Sequence, residues 1–370
     1  MKIILLLTVL FLSITAYSQD KIIEPDNKQN FIISGLYGNG KVIPSNNFVR
    51  GDNLQGKPIE NFQFFALKAL WHNPNYSDWQ KVYKGPYYGF GLAIGKFDNP
   101  KEIGYPISYY SILGIPIKRW NKLEIYTEFQ FGMESNWDYY DPISNPKNNV
   151  IGGSTTFRLD IALKMFYSLS PKLDLGAGLN FIHSSNGGFK QPNKGFNLYT
   201  PFAELRYRFN NRPDYKNLPK AGRVARSDDL YFMMGFGDPQ KNYFAIGGLS
   251  AIYFNQLSNV SKIGLGTDLN YWDGLNNNSD ETTETRNIDN LTIGLILQPE
   301  VIVNRLTLLG GIGIYARHLD YGNFIKAYQR LGVRCEIYKN CSIGVNVRGV
   351  DFIRAEFFEF NLGYSIRWMK

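Results

Sequence analysis

The chain has 370 residues and a formal net charge of +8, and aromatic residues make up 15% of it. Beyond its first residues it has no apolar run of about 18 residues, which excludes an ordinary membrane-spanning helix. The excess of basic residues fits either solubilising charge in loops or attraction to phosphorylated lipid head groups.

Residues 1–19 have the features of a secretory signal peptide. Lys2 supplies a positive start, and Ile3 to Ala16 form an apolar run too short to cross a bilayer comfortably. Ser18 and Gln19 close the segment. The sequence therefore predicts an exported protein, and export together with lipid-facing strands argues against nucleic acid as a partner.

About sixteen segments of the remaining chain alternate between apolar and polar residues, which is the pattern of β-strands with one apolar face. In Lys122–Met133, Leu123 and Phe129 share one face while Glu124 and Glu128 share the other. Charges that alternate with large apolar residues are costly in a dry core but ordinary in a barrel with a polar interior. The predicted strands are Phe31–Tyr37, Asn61–Trp71, Tyr87–Phe97, Tyr105–Ile117, Lys122–Met133, Phe157–Tyr167, Lys172–Ile182, Phe196–Phe209, Leu230–Gly237, Tyr243–Asn255, Lys262–Trp272, Leu291–Val303, Leu306–Arg317, Ala327–Tyr338, Ser342–Val350 and Glu356–Trp368.

This pattern predicts an all-β protein: a transmembrane antiparallel β-barrel of the outer membrane with about 12 to 16 strands. A secreted soluble β-protein is the alternative. Residues 20–370 are expected to form one barrel, in which 20–210 carry the candidate site, 211–229 form a loop or linker, and 230–370 add the strands that close it. One barrel is favoured over an eight-strand barrel with a second β-unit because the amphipathic last strand suits closure against the first.

The predicted strand Lys172–Ile182 precedes the two residues that are the strongest candidates for catalysis. Leu179 and Phe181 lie on its apolar face, and counting on by twos places His183 and Ser185 on the same face. A histidine within hydrogen-bond reach can take the proton of a serine and make it a nucleophile. The two positions are roughly 6.6 Å apart along a strand, which side-chain reach or a bend can close. We therefore expect a serine esterase site on the outside of the barrel, where lipid can reach it.

The next strand, Phe196–Phe209, is expected to supply a third member of the site. If His183 opposes Asn197 in an antiparallel pair, the apolar residues of the two strands also face each other. Asn197 then lies beside His183 on the outer face, and its side-chain oxygen can orient the imidazole. Glu204, the nearest acid on this strand, lies an odd number of residues from Asn197 and is therefore expected to point into the barrel. It is not a candidate for the third member of the site.

The residues after Ser185 suggest how the developing oxyanion is held. Asn186 follows the serine directly, and Gly187 allows close backbone approach with exposed N–H groups, so both are predicted oxyanion donors. Lys190 and Lys194 are candidates for binding a lipid phosphate. The alternative for each lysine is an ordinary solvated loop position.

The stretch His183–Gly188, followed by Gln191–Asn197, resembles the signature of the lipid A 3-O-deacylases (PagL). The resemblance covers roughly Asn145–Phe209. The longer chain is similar to extended, Bacteroidota-type versions known as acyloxyacyl hydrolases. The resemblance implies hydrolysis of an ester-linked acyl chain on lipopolysaccharide, with no metal or organic cofactor.

The same resemblance assigns roles to individual residues. It makes His183 the base and Ser185 the nucleophile, and it gives Asn186 a part in the oxyanion hole. Position 197, usually a glutamate in the family, is Asn197 in this chain.

The leading hypothesis is an outer-membrane serine esterase that acts on lipid A of lipopolysaccharide among the outer-membrane lipids. The alternative is a non-catalytic outer-membrane channel or structural barrel with a lapsed site; a surface adhesin has little support beyond the polar loop Asn276–Asn290. His72, His183 and His318 are the only histidines, and none lies in a Cys- or acid-rich cluster, so no metal site is predicted. Homodimerisation, and a disulfide between Cys335 and Cys341, are left open.

Overall fold

A computed structural model describes residues 30–72, 78–187, 190–212, 227–239, 246–272, 291–317, 327–350 and 354–369. The predicted signal peptide, most of the 211–229 segment and the polar loop Asn276–Asn290 lie outside the described residues. Within the described ranges, no helix has the length and apolarity needed to cross a membrane.

Sixteen strands and two short helices make up the described chain, and every predicted strand has its counterpart. The first eight strands are β1 (Asn30–Val42), β2 (Asn61–His72), β3 (Tyr87–Phe97), β4 (Gly104–Arg119), β5 (Leu123–Trp137), β6 (Thr156–Ser168), β7 (Leu173–Ser185) and β8 (Phe196–Arg208). The others are β9 (Ser227–Pro239), β10 (Ile246–Ser258), β11 (Ser261–Trp272), β12 (Leu291–Val303), β13 (Leu306–Arg317), β14 (Ala327–Tyr338), β15 (Cys341–Val350) and β16 (Arg354–Met369). The helices are α1 (Asp78–Val82) and α2 (Pro100–Ile103).

The strands form two closed barrels, so the prediction of a single barrel is wrong although the all-β class and the number of strands are confirmed. β1 to β8 close through antiparallel pairing of β1 with β8, and β9 to β16 close through pairing of β9 with β16. Residues 230–370 therefore do not add strands to the first barrel, and β9 begins at Ser227, inside the predicted linker. Closure satisfies the edge strands of each set, so neither needs strands from the other.

Paired charges fill the interior of the first barrel. Lys164 lies between two carboxylates, with its Nζ 2.6 Å from Glu128 and 2.8 Å from Glu204. Lys68 contacts the same two carboxylates at 2.9 and 3.7 Å, and Arg206 bonds Glu204 at 3.0 Å. All five side chains are at most 1% exposed. An eight-strand barrel is just wide enough to be filled by side chains, so this interior is packed rather than an aqueous pore.

The second barrel has a charged interior of its own. Asp268 accepts hydrogen bonds from Arg330 at 2.8 Å, from Arg348 at 3.1 Å and from the hydroxyl of Tyr328 at 2.5 Å. Both barrels thus place their polar faces inward, as the alternation predicts.

Large apolar side chains cover the outside of both barrels. Leu163 and Leu179 on the first barrel, and Leu265 and Ile312 on the second, are each more than half exposed. An outward apolar band on closed strands with a polar interior is the signature of barrels that reside in a lipid bilayer.

Pro201, an unusual residue for a strand interior, lies where β8 lacks full pairing. The β1–β8 ladder is interrupted between the Gly38–Phe202 pair and the Lys41–Tyr199 pair, at Pro201 and Thr200, although the register is the same on both sides. Loss of ladder bonds is the expected consequence of a proline in a strand. Cys335 and Cys341, at the β14–β15 turn, are both free thiols.

The two ends of the first barrel differ in their connections. One end carries the long segments 43–60, 98–103, 138–155 and 186–195, whereas the other includes the short turns 120–122 and 169–172. Bacterial outer-membrane barrels have long extracellular loops and short periplasmic turns. The end of β7 that carries His183 and Ser185 is therefore the end with more of the long loops, although the 73–86 connection at the other end is also long.

Candidate active site

The last residues of β7 point in the directions that the sequence predicts. Ile182 and Ser184 are 0% and 1% exposed inside the barrel. Phe181 is outward and 44% exposed, and His183 and Ser185 continue its face as half-buried residues. The imidazole and the hydroxyl thus lie on the outer surface, next to apolar side chains.

His183 connects Ser185 to Asn197 through both of its ring nitrogens. Its Nε2 is 3.2 Å from Oγ of Ser185, and its Nδ1 is 2.7 Å from Oδ1 of Asn197. A proton on Nδ1 donates to Asn197 and leaves Nε2 to accept the hydroxyl hydrogen of Ser185. The three side chains have the relative geometry of a nucleophile, a base and a group that orients the base.

The strand register brings Asn197 to this position. His183 is paired with Asn197, Phe181 with Tyr199 and Ala177 with Ala203 across β7 and β8. Glu204 lies on the opposite face of β8, 1% exposed and bonded to the interior lysines. The outer face therefore offers His183 the neutral amide of Asn197.

The two predicted oxyanion donors have different surroundings. The N–H of Gly187 points to Oγ of Ser185 at 3.4 Å. The backbone N–H of Asn186 donates to Oδ1 of Asn193 at 2.9 Å, and its side-chain amide donates to the carbonyl of Lys190 at 2.6 Å. In this structure Gly187 thus has the amide that is directed to the nucleophile, whereas both groups of Asn186 hold the loop.

Gly195 packs against Ser185 and His183 from the other end of the β7–β8 loop. Its φ is +67°, and a Cβ there would lie 3.1 Å from Cβ of Ser185 and 3.3 Å from Cε1 of His183. No side chain fits in this space without moving the site. Sequence reasoning assigned no role to Gly195 or Asn193, because neither the packing of a loop glycine nor a loop hydrogen bond follows from alternation.

The neighbouring loops hold this glycine in place. The N–H of Gly195 donates to the carbonyl of Val150 at 3.2 Å. Asn148, which is fully buried, accepts the N–H of Val150 at 3.2 Å and donates to the carbonyl of Glu102 at 2.9 Å. The 138–155 loop therefore anchors the β7–β8 loop, which covers the site.

Lys190 and Lys194, the predicted phosphate-binding residues, are exposed on the same loop. The Nζ of Lys190 lies 4.9 Å from the centre of the Tyr139 ring, a cation–π contact. The backbone N–H of Lys194 donates to the carbonyl of Asn149 at 3.3 Å. Both lysines thus lie, exposed, on the loop that follows Ser185.

No group of three or more His, Cys, Asp or Glu side chains with metal-binding geometry occurs among the described residues. The groups that the candidate site offers for chemistry are a hydroxyl, an imidazole and an amide.

The two halves of the chain each match a protein-family model. Residues 66–210 match lipid A 3-O-deacylase (PagL), and residues 226–368 match the C-terminal domain of acyloxyacyl hydrolase. The chain belongs to the PagL and acyloxyacyl hydrolase family. The boundary between the two matches falls between the two barrels. Members of this family are ester hydrolases, and the family and the lipid-facing barrels together place the protein in the outer membrane.

Solved structures with similarity to the chain include other outer-membrane barrels. The outer membrane enzyme PagL is 16% identical, with a TM-score of 0.32 and coverage of 46% of this chain and 97% of that chain. The P. putida toluene transporter TodX is 10% identical, with a TM-score of 0.19 and coverage of 94% and 91%. Acinetobacter baumannii Omp33 is 6% identical, with a TM-score of 0.17 and coverage of 92% and 98%. The comparison with curated proteins gave no match.

Proposed function

We propose that this PagL-family protein removes an ester-linked acyl chain from lipid A in the outer leaflet, with Ser185 as nucleophile. The observation that carries the proposal is the continuous series of contacts from Ser185 Oγ to His183 Nε2 at 3.2 Å and from His183 Nδ1 to Asn197 Oδ1 at 2.7 Å. Its position on the outer face, at the long-loop end, suits a substrate that is itself part of the membrane.

In the first step, Ser185 Oγ attacks the ester carbonyl while His183 Nε2 accepts its proton. The N–H of Gly187 stabilises the carbonyl oxygen as it becomes negative. Asn186 is the second proposed donor, and it would have to redirect one of its two hydrogen bonds within the loop toward the substrate. The imidazolium then returns the proton to the leaving hydroxyl of the sugar. Water, activated by the same imidazole, hydrolyses the acyl-serine and releases the fatty acid.

Asn197 orients the imidazole in this scheme. Because its amide is neutral, it holds the tautomer with the proton on Nδ1 but adds no full negative charge opposite the imidazolium. Lys190 and Lys194 are proposed to bind the phosphate of lipid A, since both are exposed cations at the level of the lipid head groups.

The test is mass spectrometry of lipid A after incubation of lipopolysaccharide with the purified protein. The wild type should release fatty acid, and Ser185→Ala should abolish the release while the barrels remain folded. Ser184→Ala is a matched control, because the neighbouring hydroxyl lies inside the barrel and is 1% exposed. Undiminished release by Ser185→Ala would contradict the proposal.

A further inference from the structure

One outward-facing aromatic residue of the second barrel is covered rather than exposed. Phe357 and Glu359 point inward on β16, so Phe358 points outward together with Phe360 and Leu362. Phe360 is 37% exposed and Leu362 is 54% exposed, but Phe358 is only 8% exposed. Something outside the second barrel therefore covers Phe358.

The covering surface belongs to the candidate active site of the first barrel. The ring of Phe358 lies 5.5 Å, centre to centre, from the ring of Phe157 on β6. A Cβ at Gly187 would overlap the Phe358 ring, so the backbone of this loop residue lies directly against it. Phe157 is paired with Ser185 across β6 and β7, and the N–H of Gly187 is 3.4 Å from Ser185 Oγ. Phe157 and Gly187, against which Phe358 packs, thus both adjoin Ser185.

A second contact shows that the two barrels lie side by side. At the opposite end, the hydroxyl of Tyr83 in the β2–β3 connection donates to the carbonyl of Ile302 in β12 at 2.6 Å. The barrels therefore touch near both ends, and Phe358 reaches the site at the long-loop end.

We infer that the second barrel completes the substrate site and that Phe358 is a positioning residue, which supports the ring of Phe157 as the surface against which the acyl chain of the ester packs. This inference rests on the proposed function. An acyl chain whose carbonyl is at Ser185 must leave the site along an apolar surface that continues into the bilayer. Phe157 is half-buried and offers such a surface beside Ser185, and Phe358, which is only 8% exposed, holds that ring in place from the side of the second barrel.

The experiment compares the hydrolysis of two ester substrates that differ only in having a short or a long acyl chain. Phe358→Ala in the full-length protein should lower kcat/KM for the long chain by about tenfold relative to the short chain, because Phe157 loses its support and its apolar contacts with the distal methylenes are weakened. Phe358→Leu, which keeps an apolar side chain, should lower it less. Phe360→Ala is the matched control, since it truncates the next outward aromatic of the same strand and should leave the ratio unchanged.

A double substitution provides an independent measurement. Gly187→Ala should reduce activity because the new methyl group overlaps the Phe358 ring and because the φ of +65° disfavours a side chain, and adding Phe358→Ala should relieve the overlap and restore part of the loss for the short-chain ester. Equal chain-length ratios for Phe358→Ala and Phe360→Ala, or no rescue of Gly187→Ala, would overturn the inference. Failure of the proposed function is distinguishable, because it would appear as activity that survives Ser185→Ala on both substrates.

Discussion

Oδ1 of Asn197 lies 2.7 Å from Nδ1 of His183, so a neutral amide occupies the position from which a carboxylate usually orients the histidine of a hydrolytic triad. The contact has the length of a good hydrogen bond. The site therefore retains orientation of the imidazole but lacks the charge that would stabilise its protonated form.

This relationship predicts opposite effects for two substitutions. Asn197→Ala should lower kcat about fivefold, since one hydrogen bond of ~1 kcal/mol that orients the base is lost. Asn197→Glu should raise kcat by about the same factor, because a carboxylate forms a stronger, charge-assisted bond to the imidazolium. Steady-state kinetics on a purified ester substrate measures both, with Tyr199→Phe on the same outer face as control. An Asn197→Ala enzyme as fast as wild type would remove Asn197 from the mechanism.

Gly195 should tolerate no side chain. The methyl group of Gly195→Ala would meet Cβ of Ser185 at 3.1 Å and the carbonyl of Ser184 at 2.9 Å, and should displace the nucleophile and lower kcat at least about tenfold. Gly56→Ala is a close control, because Gly56 has a similar φ of +65° but nothing within 4 Å of its Cβ position. Comparable activity in the two variants would show that the contact of a side chain at position 195 with Ser185 and His183 does not disturb the site.

Asn193 should act by positioning the loop that carries the oxyanion donors. Asn193→Ala removes the acceptor of the Asn186 N–H and should lower kcat about fivefold, the equivalent of ~1 kcal/mol for a lost hydrogen bond. Asn193→Asp keeps an acceptor oxygen at the same place and should retain most of the activity. The two variants are compared by kcat on one ester, and an equal loss in both would mean that this hydrogen bond is not what positions the loop.

Lys164 should be essential for the stability of the first barrel. Lys164→Met removes the cation that contacts both Glu128 and Glu204 within 3 Å, while Lys68 and Arg206 remain beside them, and should lower the free energy of unfolding by ~1.5–3 kcal/mol, as expected for lost hydrogen bonds to charged groups.

The control for Lys164 is an exposed ion pair. Lys41 and Glu60 are 3.8 Å apart and about half exposed or more, so Lys41→Met should cost no more than ~1 kcal/mol. Denaturant unfolding of the refolded protein measures both variants. Equal stability of the two would show that the interior charges do not hold the barrel together.

Much of the candidate site follows from the sequence, because residues two apart on a strand share a face. Alternation places His183 and Ser185 on the outside, and matching the apolar faces of β7 and β8 sets the register that delivers Asn197. The contacts made by Asn193 and Gly195 do not follow in this way, because loop residues have no period: Asn193 bonds Asn186 across its own loop, and Gly195 bonds Val150 on another.

The sequence by itself determined the strands, their inward and outward faces and the outer position of the nucleophile, since all three depend on a local period of two residues. Only the tertiary structure decided that β1 closes with β8 and that Phe358 reaches the nucleophile from a second barrel. Apolar faces match in many pairings, so alternation does not select the strand that closes a barrel. The choice depends on contacts between residues far apart in the chain, such as the 2.6 Å hydrogen bond from Ser34 on β1 to Glu204 on β8.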